Sequence, residues 1–313
     1  GAPTSLSTLA AFALDGEQRP VLFAADPQEV HRLEPAAAGP PFPGAAAGIT
    51  SLLALDWNHD FKMDLVAAGP AGVRLFIQSA DGAFTDETSR ASGEGGPAAV
   101  DATGVWAADV EMDGDLDIVV GVRAATMLVL RNNGDGTWRP LQPFPDATGV
   151  RAFVWGDIDG DGDPDAASID ESGALQVFAN LQAGQFKRFA GPPSREKGYL
   201  ALAIGDVNAD GALDLVTLET LGAIRRASLA SQRWNQEPWT AWPELEAGKS
   251  SNPARLFLAD LDNNGALDLV VSGPAPTAIW LSKESRTLQR LNTTIDADVW
   301  NVLDLSADGQ LDL

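Results

Sequence analysis

Three features of the 313-residue sequence predict an all-β protein built from repeated four-stranded sheets. A nine-residue acidic stretch recurs six times, at intervals of 44 to 54 residues. Short runs rich in Val, Ile, Leu and aromatic residues flank each copy and are bounded by Gly, Pro or Asn, the pattern of strands. No segment keeps a sustained 3.6-residue apolar period. Units of roughly 40 to 50 residues suit the blades of a β-propeller, whereas an open β-solenoid needs shorter rungs.

The copies are DWNHDFKMD from Asp56, DVEMDGDLD from Asp109, DIDGDGDPD from Asp157, DVNADGALD from Asp206, DLDNNGALD from Asp260 and DLSADGQLD from Asp304. Each lies between two apolar runs, for example LALAIG and LDLVTLE around Asp206, and two further β-rich segments follow. A weaker unit precedes them: FALDGEQRPVLFAADPQEVHRLE aligns with LALDWNHDFKMDLVAAGPAGVRLFIQ, its loop shrunk to DGEQR. The expectation is a single domain of about seven four-stranded blades, in units 6–46, 47–100, 101–147, 148–196, 197–250, 251–293 and a partial 294–313. The acidic loops join first to second strands. The last unit reaches only two strands, which predicts a fragment or an unusual ring closure with an unpaired edge. The start, GAPTSLSTLAAF, has neither Met nor a charged leader and reads as processed or recombinant. PAAAGPPFPG (35–44), GEGGP (93–97) and GPPS (191–194) read as connections between units.

Composition narrows the function. A net charge of −23, from 44 acids and 21 bases, argues against nucleic acid and anionic membrane surfaces. The absence of an 18-residue apolar run argues against membrane insertion. With no cysteine there are no disulfides and no thiolate metal sites. Of the 44 acids, 22 occupy odd-numbered positions of the six loops, so the acidity needs no basic partner.

Counting from the first aspartate, oxygen-bearing side chains recur at positions 1, 3, 5 and 9. They are Asp56, Asn58, Asp60 and Asp64; Asp109, Glu111, Asp113 and Asp117; Asp157, Asp159, Asp161 and Asp165; Asp206, Asn208, Asp210 and Asp214; Asp260, Asp262, Asn264 and Asp268; and Asp304, Ser306, Asp308 and Asp312. Alternating oxygens in a tight loop converge on one point, as a hard cation with six to eight oxygen ligands requires. Gly at position 6, in five of the six copies, permits positive φ and lets position 7 offer its carbonyl. The expected cofactor is Ca²⁺, in four to six sites. Zinc would want Cys or His, and only His31 and His59 exist. An EF-hand would place Glu at position 12, where four loops carry Val120, Ser168, Thr217 and Val271. Position 9 begins a strand, where Asp is disfavoured without a partner. Five acids each predict the tightest binding for the loops from Asp109 and Asp157, whereas Phe61 at position 6 and Ser306 at position 3 mark the weakest.

These loops and their flanking strands resemble FG-GAP/VCBS repeats, the calcium-loop blades of integrin α-subunit propellers and of many bacterial extracellular proteins. The resemblance spans about 50–313, and more loosely 6–46. It implies that Asp157, Asp159, Asp161 and Asp165, with the matching residues of the other loops, ligate calcium between the first and second strands of each blade. Phe61, Ser306 and the loopless first unit depart from the pattern.

No G-x-S-x-G, P-loop or H-E-x-x-H motif occurs, and His59 at position 4 reads as a solvated turn residue. Trp57, Trp106, Trp155 and Trp300 read as packing between blades. Trp234, Trp239 and Trp242, in RWNQEPWTAWPE, fit neither strand nor helix spacing and stand open between core and ligand-binding surface. The functional expectation is an extracytoplasmic, calcium-stabilised module that binds a protein or glycan. The alternative is an accessory or catalytic propeller of a carbohydrate-active or phospholipase-like enzyme. Extracellular calcium loops are often weak and fill near millimolar calcium, hence the expected location.

Overall fold

In five of the six sheets the second strand opens on a position-9 aspartate and is buried along its length, Asp170 alone being partly exposed, because it lies inside its sheet with both faces covered. The computed structural model describes residues 6–14, 17, 19–26, 29–33, 48–93, 99–193, 198–245, 253–283, 287–293 and 295–313. The connection expected at 35–44, most of that at 93–97 and part of the DGEQR turn lie outside them.

Among the described residues the strands form six antiparallel sheets, each ordered as in the sequence. The first has three strands, β1 (Thr8–Ala13), β2 (Pro20–Ala25) and β3 (Val30–Arg32). Next come β4 (Ser51–Leu55), β5 (Asp64–Gly69), β6 (Gly72–Gln78) and β7 (Phe84–Asp86), then β8 (Ala102–Ala108), β9 (Asp117–Val122), β10 (Leu128–Asn132) and β11 (Trp138–Leu141). The fourth sheet holds β12 (Val150–Gly156), β13 (Asp165–Asp170), β14 (Leu175–Asn180) and β15 (Phe186–Phe189). The fifth holds β16 (Tyr199–Gly205), β17 (Asp214–Glu219), β18 (Ala223–Ala230) and β19 (Arg233–Ala241), and the sixth β20 (Arg255–Ala259), β21 (Asp268–Ser272), β22 (Ala278–Ser282) and β23 (Leu288–Arg290). These sheets are the blades of a β-propeller. One short helix, α1 (Thr88–Ser92), follows β7; its Thr88 Oγ1 accepts the Leu75 N–H at 2.9 Å.

The count of seven blades is thereby corrected to six. Residues 295–302 do not begin a further sheet but pack on the sixth: Ile295 pairs with Thr277, Val299 N–H donates to Ser272 Oγ at 2.7 Å, and Val299 joins Val270 and Ile279 in one apolar cluster. The loop from Asp304 is closed by a single pair, Leu303 with Asp312.

By contacts the chain divides into two compact units, Gly1–Arg151 with 182–185 and 304–308, and the remainder. In the first unit, Phe12, Phe23 and Phe76 fill the space between the first two sheets, and Leu55, Trp57, Val66, Val105, Ile118 and Trp138 that between the second and third. Trp57 meets Trp138 edge to face at 6.1 Å. Trp106 lies flat over its own blade, where a Cβ on Gly104 would come within 2.6 Å of its ring, so glycine there makes room for the indole. In the second unit, Ile158, Ile169, Val177, Leu202 and Leu215 join the fourth and fifth sheets, and Leu218, Ile224, Trp242, Leu256, Leu269 and Trp280 the fifth and sixth.

The RWNQEPWTAWPE segment is mostly β19. Its irregular spacing comes from a register shift between Ile224 and Arg225, at Pro238, which cannot donate to the ladder. Trp242, expected as a ligand-binding candidate, is 0 % exposed and donates its indole N–H to Pro276 O at 3.1 Å: it is a core residue. Trp239 packs against the same cluster. Trp234 stacks on Phe189 with ring centroids 6.2 Å apart. Trp242→Ala is expected to cost about 3–5 kcal/mol in urea unfolding, as large-to-small core changes do, and Trp234→Ala distinctly less.

Candidate metal centre

Each acidic loop is shaped by its own carboxylates accepting backbone N–H groups. In the loop from Asp157, Oδ1 of Asp157 accepts from Asp161 N–H at 3.1 Å and Oδ2 from Gly162 N–H at 3.0 Å. The same pair of bonds, from positions 5 and 6 to position 1, recurs in the loops from Asp56, Asp109, Asp206 and Asp260. In those five loops the position-5 side chain accepts the N–H of position 7, from Lys62, Asp115, Asp163, Ala212 and Ala266. In the loop from Asp304, Asp308 N–H donates to Asp304 Oδ1 at 3.0 Å.

This wrapping needs two left-handed residues per loop. Position 6 has φ between 65° and 96°, as its glycines allow, and Phe61 adopts it as well, its side chain 98 % exposed. Position 4 also has positive φ in all six loops, at His59, Met112, Gly160, Ala209, Asn263 and Ala307. Composition carries no sign of this, because those residues share no chemistry. His59 is half exposed, with Nε2 3.4 Å from Asp115 Oδ1.

The position-9 aspartate closes the loop from inside. Oδ2 of Asp64, Asp117, Asp165 and Asp268 accepts the N–H of position 2, from Trp57, Val110, Ile158 and Leu261. Oδ1 accepts an N–H from the third strand, from Gln78, Asn132, Asn180 and Ser282, at 2.6 to 2.9 Å. Gln78 and Asn180 return their side-chain amides to the position-8 carbonyls of Met63 and Pro164. These third-strand residues were missed by the sequence reading; the available signal was a buried polar residue in an apolar strand 14 or 15 places after position 9. Asp214 differs: neither of its oxygens reaches a donor in full hydrogen-bond geometry.

Positions 1, 3 and 9 converge most closely in two loops. Carboxylate oxygens of Asp157, Asp159 and Asp165, and likewise of Asp260, Asp262 and Asp268, lie within 4.8 Å of one another. One hard cation with bonds of about 2.3–2.6 Å can bridge such a spread. Asp161, at position 5, falls outside the first cluster, although it was expected with it. Among the described residues, no comparable trio of acids forms in the loops from Asp56, Asp109, Asp206 or Asp304.

Burial pushes Asp64, Asp117, Asp165 and Asp214 up to about 6, with the neighbouring loop acids adding to it. Burial also raises Asp268, and burial with the charge of Asp161 raises Asp159. Asp60 falls below its ordinary value: burial opposes the shift, and Lys62 outweighs it.

A model described as an FG-GAP-like repeat matches residues 56–120, 109–168 and 157–217, so that 56–217, just over half of the chain, is covered. The chain belongs to the FG-GAP repeat family. Each match runs from position 1 of one loop to position 12 of the next, so the FG-GAP unit spans a blade boundary. No curated protein matches the sequence. Among solved structures, an Agrocybe aegerita lectin that specifically recognises non-reducing terminal N-acetylglucosamine is similar at 17 % identity and a TM-score of 0.59, over 90 % of this chain and 79 % of the lectin. BBS1N, in complex with ARL6DN, is similar at 10 % identity and 0.59, over 96 % and 85 %. The periplasmic gluconolactonase PpgL of Pseudomonas aeruginosa follows at 17 % and 0.52, over 90 % and 78 %. At these identities the likeness is one of fold.

Two outcomes follow for the metal-free protein. Asp64, Asp117, Asp165 and Asp214 bind protons more readily folded than unfolded, so stability in chelator should fall as pH rises from about 4 to about 6 and gain in the reverse direction. Urea titrations at pH 4.5 and 7 check the sign. Phe61→Gly should raise stability by about 1 kcal/mol, by removing the left-handed penalty on a bulky residue.

Proposed function

We propose that this FG-GAP propeller is a calcium-stabilised, extracytoplasmic binding module whose partner is a protein or a glycan. The observation that carries the calcium reading is the convergence of three carboxylates in the loops from Asp157 and Asp260. Oxygen-only ligands suit a hard cation, and the loop keeps them together through backbone N–H groups while their negative charges still oppose one another. A bound Ca²⁺ would be held by Asp157, Asp159 and Asp165, and by Asp260, Asp262 and Asp268, and would supply the positive charge that these groups lack.

Ca²⁺ on such loops has a structural role. It would fix the junction of first and second strands, and so the edge of the blade on which the loops sit. Calcium near millimolar outside the cytoplasm fills loops of modest affinity, and this supports an extracytoplasmic setting. The lectin and BBS1N, alike in fold, support a binding role in which the blades present surface to a partner.

At calcium of about 100 times Kd, each independent site adds about 2.7 kcal/mol to the folded state. The melting temperature should therefore be clearly higher in 1 mM calcium than in excess chelator. Asp157→Asn should shrink that difference. Equal melting curves would show the loops to be ordinary turns. For the partner, a glycan array and a pull-down, each run in calcium and in chelator, should retain a ligand in calcium without chemical turnover.

A further inference from the structure

The six loops differ in the cations that the chain itself brings to them. In the loop from Asp56, Lys62 Nζ lies 3.0 Å from Asp60 Oδ2. In the loop from Asp109, Arg131 on β10 pairs through Nε with Glu111, and its Nη2 lies 3.1 Å from Asp113 Oδ2. In the loop from Asp206, Arg226 on β18 stands 3.7 Å from Asp214 Oδ2 while holding Glu237 at 2.7 Å. Among the described residues, no Lys, Arg or His pairs with Asp157, Asp159, Asp161, Asp165, Asp260, Asp262 or Asp268; backbone N–H groups donate to Asp157, Asp159, Asp161, Asp165, Asp260 and Asp268. Among the described residues, the converging carboxylates of these two loops are thus ones with which no cation of the chain pairs.

We infer that the loops fall into two classes: those from Asp157 and Asp260 load calcium tightly, whereas in those from Asp56, Asp109 and Asp206 a lysine or arginine of the chain engages the carboxylates and holds calcium affinity down. The inference rests on the calcium reading above. A guanidinium and a dication compete for the same lone pairs, and a positive charge a few ångströms from the ion opposes its binding. The ranking by number of acids is reversed for the loop from Asp109, since two of its five acids, Glu111 and Asp113, are turned to Arg131. The loop from Asp304 has Ser306 at position 3 and so lacks a carboxylate there.

The fold offers a reciprocal exchange. Arg131 immediately precedes Asn132, which donates its backbone N–H to Asp117. The equivalent place beside the loop from Asp157 is Ala179, immediately before Asn180, which donates to Asp165. Arg131→Gln should therefore release the loop from Asp109, and Ala179→Arg should burden the loop from Asp157.

The test is calorimetric titration of the full chain with CaCl₂ in chelator-stripped buffer, with circular dichroism to verify folding. The wild type should show two tight sites, with any others at least tenfold weaker. Arg131→Gln should bring a third site into the tight class, and Ala179→Arg should remove one. Sites of equal affinity in the wild type, or a folded Arg131→Gln variant with unchanged number and affinity of sites, would overturn the inference and leave the calcium reading standing. No calcium-dependent heat in the wild type would overturn both.

Discussion

In four of the six blades the rest of the sheet depends on the buried carboxylate at position 9. In four loops it accepts one N–H from the loop's own second residue and one from the third strand, so a single side chain ties together the end of the first strand, the start of the second and the end of the third. Burying a carboxylate is costly unless such donors meet it. The nine-residue length follows from the same geometry. Position 1 needs the N–H groups of positions 5 and 6, and position 9 needs that of position 2, so the two carboxylates clasp the loop from opposite ends. Lengthening or shortening the loop by one residue would separate at least one carboxylate from its donors.

The loop acids are balanced in three ways, and the blades use different mixtures of them. Backbone N–H groups serve every loop. Lysine or arginine assists at Lys62, Arg131 and Arg226. At Asp157, Asp159 and Asp165 the donors are backbone N–H groups, burial and mutual repulsion raise Asp159 and Asp165, and these carboxylates are the ones proposed above to take an external cation. The acidity of the chain, −23 overall, is therefore a property of its loops more than of its outer surface.

Much of this architecture was legible because the loop repeats. The period marked the blades, the apolar runs marked first and second strands, and the isolated strand-initial aspartate marked a residue in need of a partner. What stayed hidden depended on tertiary neighbours. Left-handed backbone at position 4 is shared by His, Met, Gly, Ala and Asn, so composition carried no trace of it. Gln78, Asn132, Asn180 and Ser282 show their purpose only when the third strand is laid beside position 9. The place of Trp242 stays open between core and surface in the sequence because a bulge at Pro238 breaks the strand period before it. The seventh unit was overcounted because a loop motif was taken for a blade, although the preceding chain packs on the sixth sheet.

The central claim is that the converging carboxylates of these FG-GAP loops enclose calcium. Anomalous diffraction at long wavelength, from crystals grown in millimolar calcium, tests it most directly. The account predicts strong peaks between Asp157, Asp159 and Asp165 and between Asp260, Asp262 and Asp268, with oxygen distances of about 2.3–2.6 Å. Well-ordered loops with no anomalous peak at either place would contradict it.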